Sequence, residues 1–280
     1  MAVCEVCFRH CDIKEGALGA CNARICKDGK VIAANYGRVT ALALDPIEKK
    51  PLSRFCPGSM ILSYGSYGCN LFCPFCQNCD ISRSDGSEFE PEDRITPEEL
   101  ADIAYKFKDR GNIGVAFTYN EPIVSYEFVR DAAKLVKAKK MKNVLVSNGT
   151  AELPILEEIL PYIDAMNIDI KSMSEKTYSE ILKGDLKTTK TFIERSVKDC
   201  HVELTMLIVP GMNDTEDEMR ELTNWISGLN DGQGYKIPLH ISRFFPRYKM
   251  TDKPATEIDT IYSLADIAKE KLEYVYTGNC

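Results

Sequence analysis

The 280-residue sequence predicts an α/β fold in which parallel strands alternate with helical crossovers. Three observations predict it. From about residue 61 onward, short β-prone apolar runs alternate six times with helical stretches. Two of those stretches carry start signals, Thr96-Pro97-Glu98-Glu99 and Thr215-x-x-Glu218, in which a threonine caps the first turn and a glutamate follows three residues on. A chain of this length buries about three quarters of its unfolded surface, enough for one large domain and an appendage. Periodicity alone leaves an open sheet and a closed or partial barrel as alternatives.

Residues 1–55 read as a cysteine-rich extension, and the main domain, 56–280, begins near Cys56. The extension opens with Cys4-x2-Cys7-x3-Cys11-x9-Cys21, followed by Cys26. Glycines 16 and 19 let the backbone turn tightly enough to return Cys21 to the first three thiols. These four form a second metal-site candidate: a zinc staple, an iron–sulfur centre, or merely buried free cysteines. His10 stands among them as a possible substitute ligand or as an exposed histidine. Val31 to Ala33 and Arg38 to Leu44 are β-prone, with a turn signal at Asp45-Pro46 and a break at Pro51. They read as a small hairpin leading into the main domain.

The first unit of the main domain is a strand over Ile61 to Tyr67, followed by a cysteine loop and a polar surface loop over Ser82 to Glu92. Leu100, Ile103, Ala104 and Phe107 give the next helix an apolar face, and Gly111 ends it. A strand over Ile113 to Thr118 leads to a helix over Val124 to Lys140. The strand Val144 to Ser147 precedes a short helix after Pro154, and Ala165 to Ile170 is the fourth strand. Two helical pieces lie between Ser174 and Asp199, ahead of the strand Val202 to Val209. The helix capped by Thr215 presents Met219, Leu222, Ile226 and Leu229 on one face. Lys236 to Ser242 is the sixth strand; a helix from about Thr256 to Lys271 and a last strand, Tyr274 to Tyr276, complete the chain.

Composition excludes some functions. Hydrophobic content of 44% and charged content of 28% are ordinary for a soluble globular chain. A net charge of -7 argues against nucleic acid as a partner, since phosphate binding needs a basic face. The start, Met-Ala-Val-Cys-Glu-Val-Cys, shows no basic region followed by an apolar core, and no apolar run is long enough to cross a bilayer. Twelve cysteines then read as metal ligands in the reducing cytoplasm of an organism living with little oxygen, not as disulfides.

The densest chemistry lies in Cys69-Asn-Leu-Phe-Cys73-Pro-Phe-Cys76-Gln-Asn-Cys79, four thiols in eleven residues. Thiolates are soft ligands, and a four-iron cluster bound by three of them keeps one iron free for an outside ligand. Were Cys79 a fourth ligand, the site would close into a zinc knuckle. Polar residues gather at the carboxyl ends of strands, where loops of parallel β/α folds converge on one pocket. They are Thr118-Tyr119-Asn120-Glu121-Pro122, Ser147-Asn148-Gly149-Thr150, then Asn167, Asp169 and Lys171, and finally His240. Glu121 would equally cap a helix starting at Pro122. Asp169 and Lys171 would equally pair with each other, and His240 would equally be an ordinary barrel histidine.

The C-x3-C-x2-C spacing of Cys69, Cys73 and Cys76, with Phe75 before the third, resembles the signature of the radical S-adenosylmethionine (SAM) superfamily. The longer string from Gly68 to Asn78 resembles its pyruvate formate-lyase activating enzyme group, most of all the radical SAM proteins of the AmmeMemoRadiSam system. The resemblance implies a partial (β/α)6 TIM-type barrel with a 4Fe-4S cluster on Cys69, Cys73 and Cys76. It implies that Tyr119-Asn120-Glu121-Pro122 stands at the Gly-Gly-Glu-Pro-like motif, with Glu121 and nearby backbone carbonyls holding the SAM ammonium. By the same resemblance Lys171 reaches the SAM carboxylate, Asp169 with Ser147 and Asn148 borders SAM or a cation, and His240 contacts SAM. Val146 stands where the activating enzymes have an aspartate, which separates this chain from a carried-over cation site.

The family chemistry is reductive cleavage of SAM to methionine and a 5′-deoxyadenosyl radical, which abstracts hydrogen from a substrate. The partners implied are SAM, a reductase or a ferredoxin or flavodoxin as electron donor, and a protein or small-molecule substrate. Three functions stay open: a radical SAM enzyme acting on an unidentified substrate, a glycyl-radical-enzyme activase, and a non-catalytic zinc or iron–sulfur electron-transfer protein. The substrate and the roles of Cys26, Cys56, Cys79 and Cys280 do not follow from the sequence.

Overall fold

The computed structural model describes residues 1–90 and 93–280; Pro91 and Glu92, the end of the expected polar loop, lie outside the described residues. In the extension, β1 (Ala2–Val3) and β2 (Asp12–Ile13) pair antiparallel. They are followed by a hairpin of β3 (Arg24–Lys27) and β4 (Lys30–Ala33). Its turn, Asp28-Gly29, has both residues at positive φ, as a two-residue hairpin turn requires. The expected hairpin is therefore corrected. Residues 31–33 pair back with 24–27 across that turn, a shorter closure than pairing forward with 38–44. The forward run becomes β5 (Ala41–Pro46), which pairs antiparallel with β6 (Met60–Gly65) and edges the main sheet.

From β6 the sheet continues through β7 (Asn112–Thr118), β8 (Lys142–Ser147), β9 (Ala165–Asp169), β10 (His201–Ile208), β11 (Leu239–Arg243) and β12 (Val275–Gly278). The spatial order is the chain order, β5 to β12, and every pair from β6 onward is parallel. The two end strands do not pair with each other, so the barrel is partial, as expected. The sixth expected strand starts late: Gly234–Lys236 is a turn of 3-10 helix, and pairing begins only after Pro238, which has no N–H to donate.

The crossovers carry α2 (Pro97–Lys106), α3 (Tyr126–Ala138), α4 (Leu153–Ile159), α5 (Leu186–Ser196), α6 (Glu216–Gly232) and α7 (Ile258–Lys269); α1 (Cys79–Ser82) is a single turn after the cysteine loop. Both threonine caps form. Thr96 Oγ1 accepts from Glu99 N (3.1 Å) while Glu99 Oε2 accepts from Thr96 N (2.8 Å), and Thr215 accepts from Glu218 N. The expected helix at 124 opens one turn early as 3-10 helix over Pro122–Ser125, and the first piece after Ser174 is a turn of π-helix over Thr177–Leu182. Leu100, Phe117, Phe128, Leu145, Phe192 and Ile226, all fully buried, belong to the core between sheet and helices.

Candidate active site at the strand ends

The end of β7 positions the cysteine loop. Asn120 accepts from Ser66 N (3.1 Å) and donates from Nδ2 to Tyr67 O (3.0 Å) and Gly68 O (3.2 Å), so one amide holds the three residues ahead of Cys69. Gly68 sits at φ +89, and a Cβ there would lie 2.7 Å from both Cys21 O and the Ala23 Cβ. Only glycine lets the loop turn this close to the extension, where Cys69 N donates to Cys21 O (3.2 Å). Beyond it Leu71 and Phe75 are buried in a second apolar cluster with Tyr178, Leu182 and Phe244. That packing turns the three thiols toward one cavity.

Cys69, Cys73 and Cys76 line a cavity of about 460 Å³ together with Asn120, Glu121, Ser147, Asn148, Asp169 and Lys171. Cys79 is not part of its wall; its Sγ lies 3.6 Å from Asp80 Oδ1 at the start of α1. Burial pushes the Cys69 thiol well above its ordinary value and Cys73 to about 11, so each needs a bound cation to become thiolate. Cys69 Sγ faces Leu71 N (3.5 Å) and Asn148 Nδ2 (3.7 Å), N–H donors that suit a metal-bound sulfur. Among the described residues, no three His, Cys, Asp or Glu side chains converge as one ion requires. Three thiols spread around a polar cavity, with no fourth in its wall, suit a cluster bound at three corners and open at the fourth.

Glu121 does several things at once. Its carboxylate accepts from Ser147 Oγ (2.8 Å), Asn148 N (2.7 Å) and Ile123 N (3.1 Å), so it caps the Pro122 turn and ties β7 to β8 while facing the cavity. Burial outweighs these three donors and lifts its carboxyl to about 7. Asp169 and Lys171 both line the cavity and also pair, Nζ to Oδ2 at 3.1 Å. Burial opposes the Lys171 charge, but Asp169 and the Cys73 thiol hold its pKa above the ordinary value. The structure therefore brings Asn120, Glu121, Ser147, Asn148, Asp169 and Lys171 together with the three cysteines.

His240 is not brought there. Strand alternation puts it on the same face as Ser242 but one step down β11, and only Ser242 reaches the cavity wall. His240 Nε2 instead bonds Glu203 Oε2 (2.7 Å), and its ring stacks on Tyr276.

A buried group bonded to two residues of the cavity wall escaped the sequence reading. Asp45 on β5 accepts from Lys50 Nζ (3.0 Å), Tyr119 Oη (2.8 Å) and Ser63 Oγ (3.0 Å). Burial works against the charge, yet these donors hold its carboxyl well below the usual range, while burial and Asp45 push Tyr119 up to about 12. Lys50 and Tyr119 line the cavity. Asp45-Pro46 reads as a turn signal; only the pairing of β5 with β6 reveals that Asp45 and Lys50 are buried.

In the extension, Cys4, Cys7, Cys11 and Cys21 line a second, smaller cavity. Cys26 is buried elsewhere with its Sγ 3.4 Å from Glu15 Oε2, and half-exposed His10 pairs with Glu152 at 3.3 Å.

The chain is similar to several known proteins. The family model described as the Radical SAM superfamily matches residues 63–226. An uncharacterized protein of Methanocaldococcus jannaschii is 40% identical over 99% of this chain and 80% of its own length. The pyruvate formate-lyase-activating enzyme of Clostridium pasteurianum is 28% identical over 74% of this chain and 89% of its own. Among solved structures, a domain of a pyruvate-formate lyase-activating enzyme from Bacteroides vulgatus superposes with a TM-score of 0.50 at 17% identity, covering 59% of this chain and 99% of that one.

Proposed function

This chain belongs to the radical SAM superfamily, and we propose that it is an enzyme that cleaves SAM reductively to start hydrogen abstraction from a substrate. One observation supports this most: the three thiols and the carboxylate–lysine set of Glu121, Asp169 and Lys171 open on the same cavity at the strand ends. Cys69, Cys73 and Cys76 would hold a 4Fe-4S cluster. When bound, that cluster supplies the electron for cleaving the SAM sulfonium into methionine and a 5′-deoxyadenosyl radical. No transmembrane helix is present among the described residues.

The chain's own residues bind and orient. Glu121, fixed by Ser147 and Asn148, presents a carboxylate to an amino group, and Lys171 presents an ammonium to a carboxylate, so together they recognise both ends of an amino acid. Asp169 keeps Lys171 charged inside the cavity. Leu71 and Phe75 close the wall beside the thiols against water, which matters more for radical chemistry than any proton-transfer group. Asn120 sets the position of the loop that carries the thiols. A ferredoxin, flavodoxin or reductase would deliver the electron.

The test uses protein reconstituted with iron and sulfide without oxygen and reduced with dithionite. Formation of 5′-deoxyadenosine from SAM, abolished in Cys73→Ala, is the expected result. A cluster-loaded wild type that cleaves no SAM would leave an electron-transfer protein instead. The similarity to the Clostridium pasteurianum enzyme supports a narrower reading, activation of a glycyl-radical enzyme. That reading needs a glycine-centred radical on a partner protein, seen by electron paramagnetic resonance after turnover.

A further inference from the structure

The five cysteines of the extension take no part in the site above, and four of them share a cavity of their own. We propose that Cys4, Cys7, Cys11 and Cys21 hold a second iron–sulfur cluster, seated against the back of the loop that carries Cys69. The local fold brings them together. Pairing of β1 with β2 sets Cys4 N on Cys11 O (2.9 Å), and a tight turn from Cys7 O to His10 N (3.1 Å) folds the chain between them. Cys21 returns through Gly19, which is packed against Ile13 so closely that a Cβ would lie 2.9 Å from Ile13 Cδ1. All four thiols then border one cavity walled by Val6, Ile13 and Val124, and none is in a disulfide.

A pocket of idle core cysteines would be expected to meet only apolar atoms. Here Arg9 and Arg24 also line the cavity, and cationic side chains suit a group held by anionic thiolates. The arrangement also favours a cluster over zinc. Zinc draws four sulfurs to about 2.3 Å from one point, whereas among the described residues no such convergence exists here or at Cys69, Cys73 and Cys76. Both sets of thiols are spread around a cavity, as the separated irons of a cluster require.

The two sites share a wall. Asn70 donates to Thr150 Oγ1 (2.8 Å) and accepts from Asn148 Nδ2 (3.0 Å), and that same Nδ2 lies 3.7 Å from Cys69 Sγ. Arg9 Nε donates to Asn70 O (2.8 Å), and Cys69 N donates to Cys21 O (3.2 Å). A cluster in the extension would thus fix the loop that holds the first.

The experiment compares three full-length proteins, each reconstituted with ferrous iron and sulfide without oxygen: the wild type, the pair Cys7→Ser with Cys21→Ser, and Cys73→Ala. The wild type should hold about twice the iron and sulfide of either variant. Reduced Cys73→Ala should show a paramagnetic signal that SAM does not perturb, and the double variant a signal that SAM does perturb. Cys73→Ala keeps the extension intact, so it reads this site even if the double variant folds poorly. Reconstituted Cys73→Ala without iron, or wild-type protein holding one zinc that the double variant loses, would overturn the proposal. A wild type that cleaves no SAM while Cys73→Ala still holds iron would support this site and sink the proposed function alone.

Discussion

Glu121 and Glu203 are both buried glutamates, and their neighbours drive them in opposite directions. At Glu121 burial prevails over Asn148 N, Ile123 N and the Ser147 hydroxyl, leaving the carboxyl near 7. At Glu203 burial again raises the pKa, but His201, His240 and the backbone N–H groups of Ser53 and Arg54 prevail and leave it near 2. If Glu121 faces the cationic end of SAM, only its ionised form binds well. Below about pH 7, affinity for SAM should then rise about tenfold per pH unit and level off above it. Equilibrium dialysis of cluster-loaded protein measures this. Glu121→Gln should weaken binding at pH 8 and flatten the curve, and a wild-type curve already flat from pH 5.5 to 7.5 would refute the role. Glu121 was legible because a charged residue at a strand end of a parallel fold has little reason to be there except a pocket. Asp45 and Lys50 were not, because their burial depends on a strand pairing that no local pattern announces.

At the scale of elements, the alternation of strands and helices was legible throughout, since each unit carries its own apolar period and often its own cap. The departures are places where pairing choice or backbone chemistry decides. The Asp28-Gly29 turn captures residues 31–33 for a local hairpin, and Pro238 delays β11. At the junction of extension and barrel two elements approach closely. At Gly68 the loop after β6 passes Cys21 O with no room for a side chain, and the opposing atom is backbone, which cannot swing aside. Gly68→Ala adds strain at positive φ of about 1–3 kcal/mol and pushes the extension off the loop. The denaturant midpoint should fall accordingly, and the iron retained after desalting should fall with it although every cysteine remains. An unchanged midpoint with full iron retention would show that the two elements tolerate separation.

Across the whole molecule, a barrel that does not close needs something to hold its lower interior, and Glu203 does this. From β10 its carboxylate accepts from Ser53 N (2.9 Å) and Arg54 N (2.7 Å), and it pairs with His201 (2.9 Å) and with His240 (2.7 Å) on β11. Asn167 on β9 reaches the same segment, donating to Pro51 O (2.8 Å). Residues 51–54, between β5 and β6, are thereby tied to strands at the far side of the sheet. The sequence showed His240 and left its partner unseen, because Glu203 sits inside an apolar strand run where a lone charge looks like an exception. The lock has a definite sign with pH. The folded pKa near 2 lies below the ordinary 4.5, so Glu203 contributes stability above about pH 4.5 and loses it as pH falls toward 2. A shift of this size corresponds to roughly 3 kcal/mol. Denaturant unfolding of Glu203→Gln beside the wild type should show a deficit of about that size at pH 7 that shrinks steadily between pH 4.5 and 2.5. If the deficit is instead independent of pH, the contribution of Glu203 comes from packing and hydrogen-bond geometry, not from its charge.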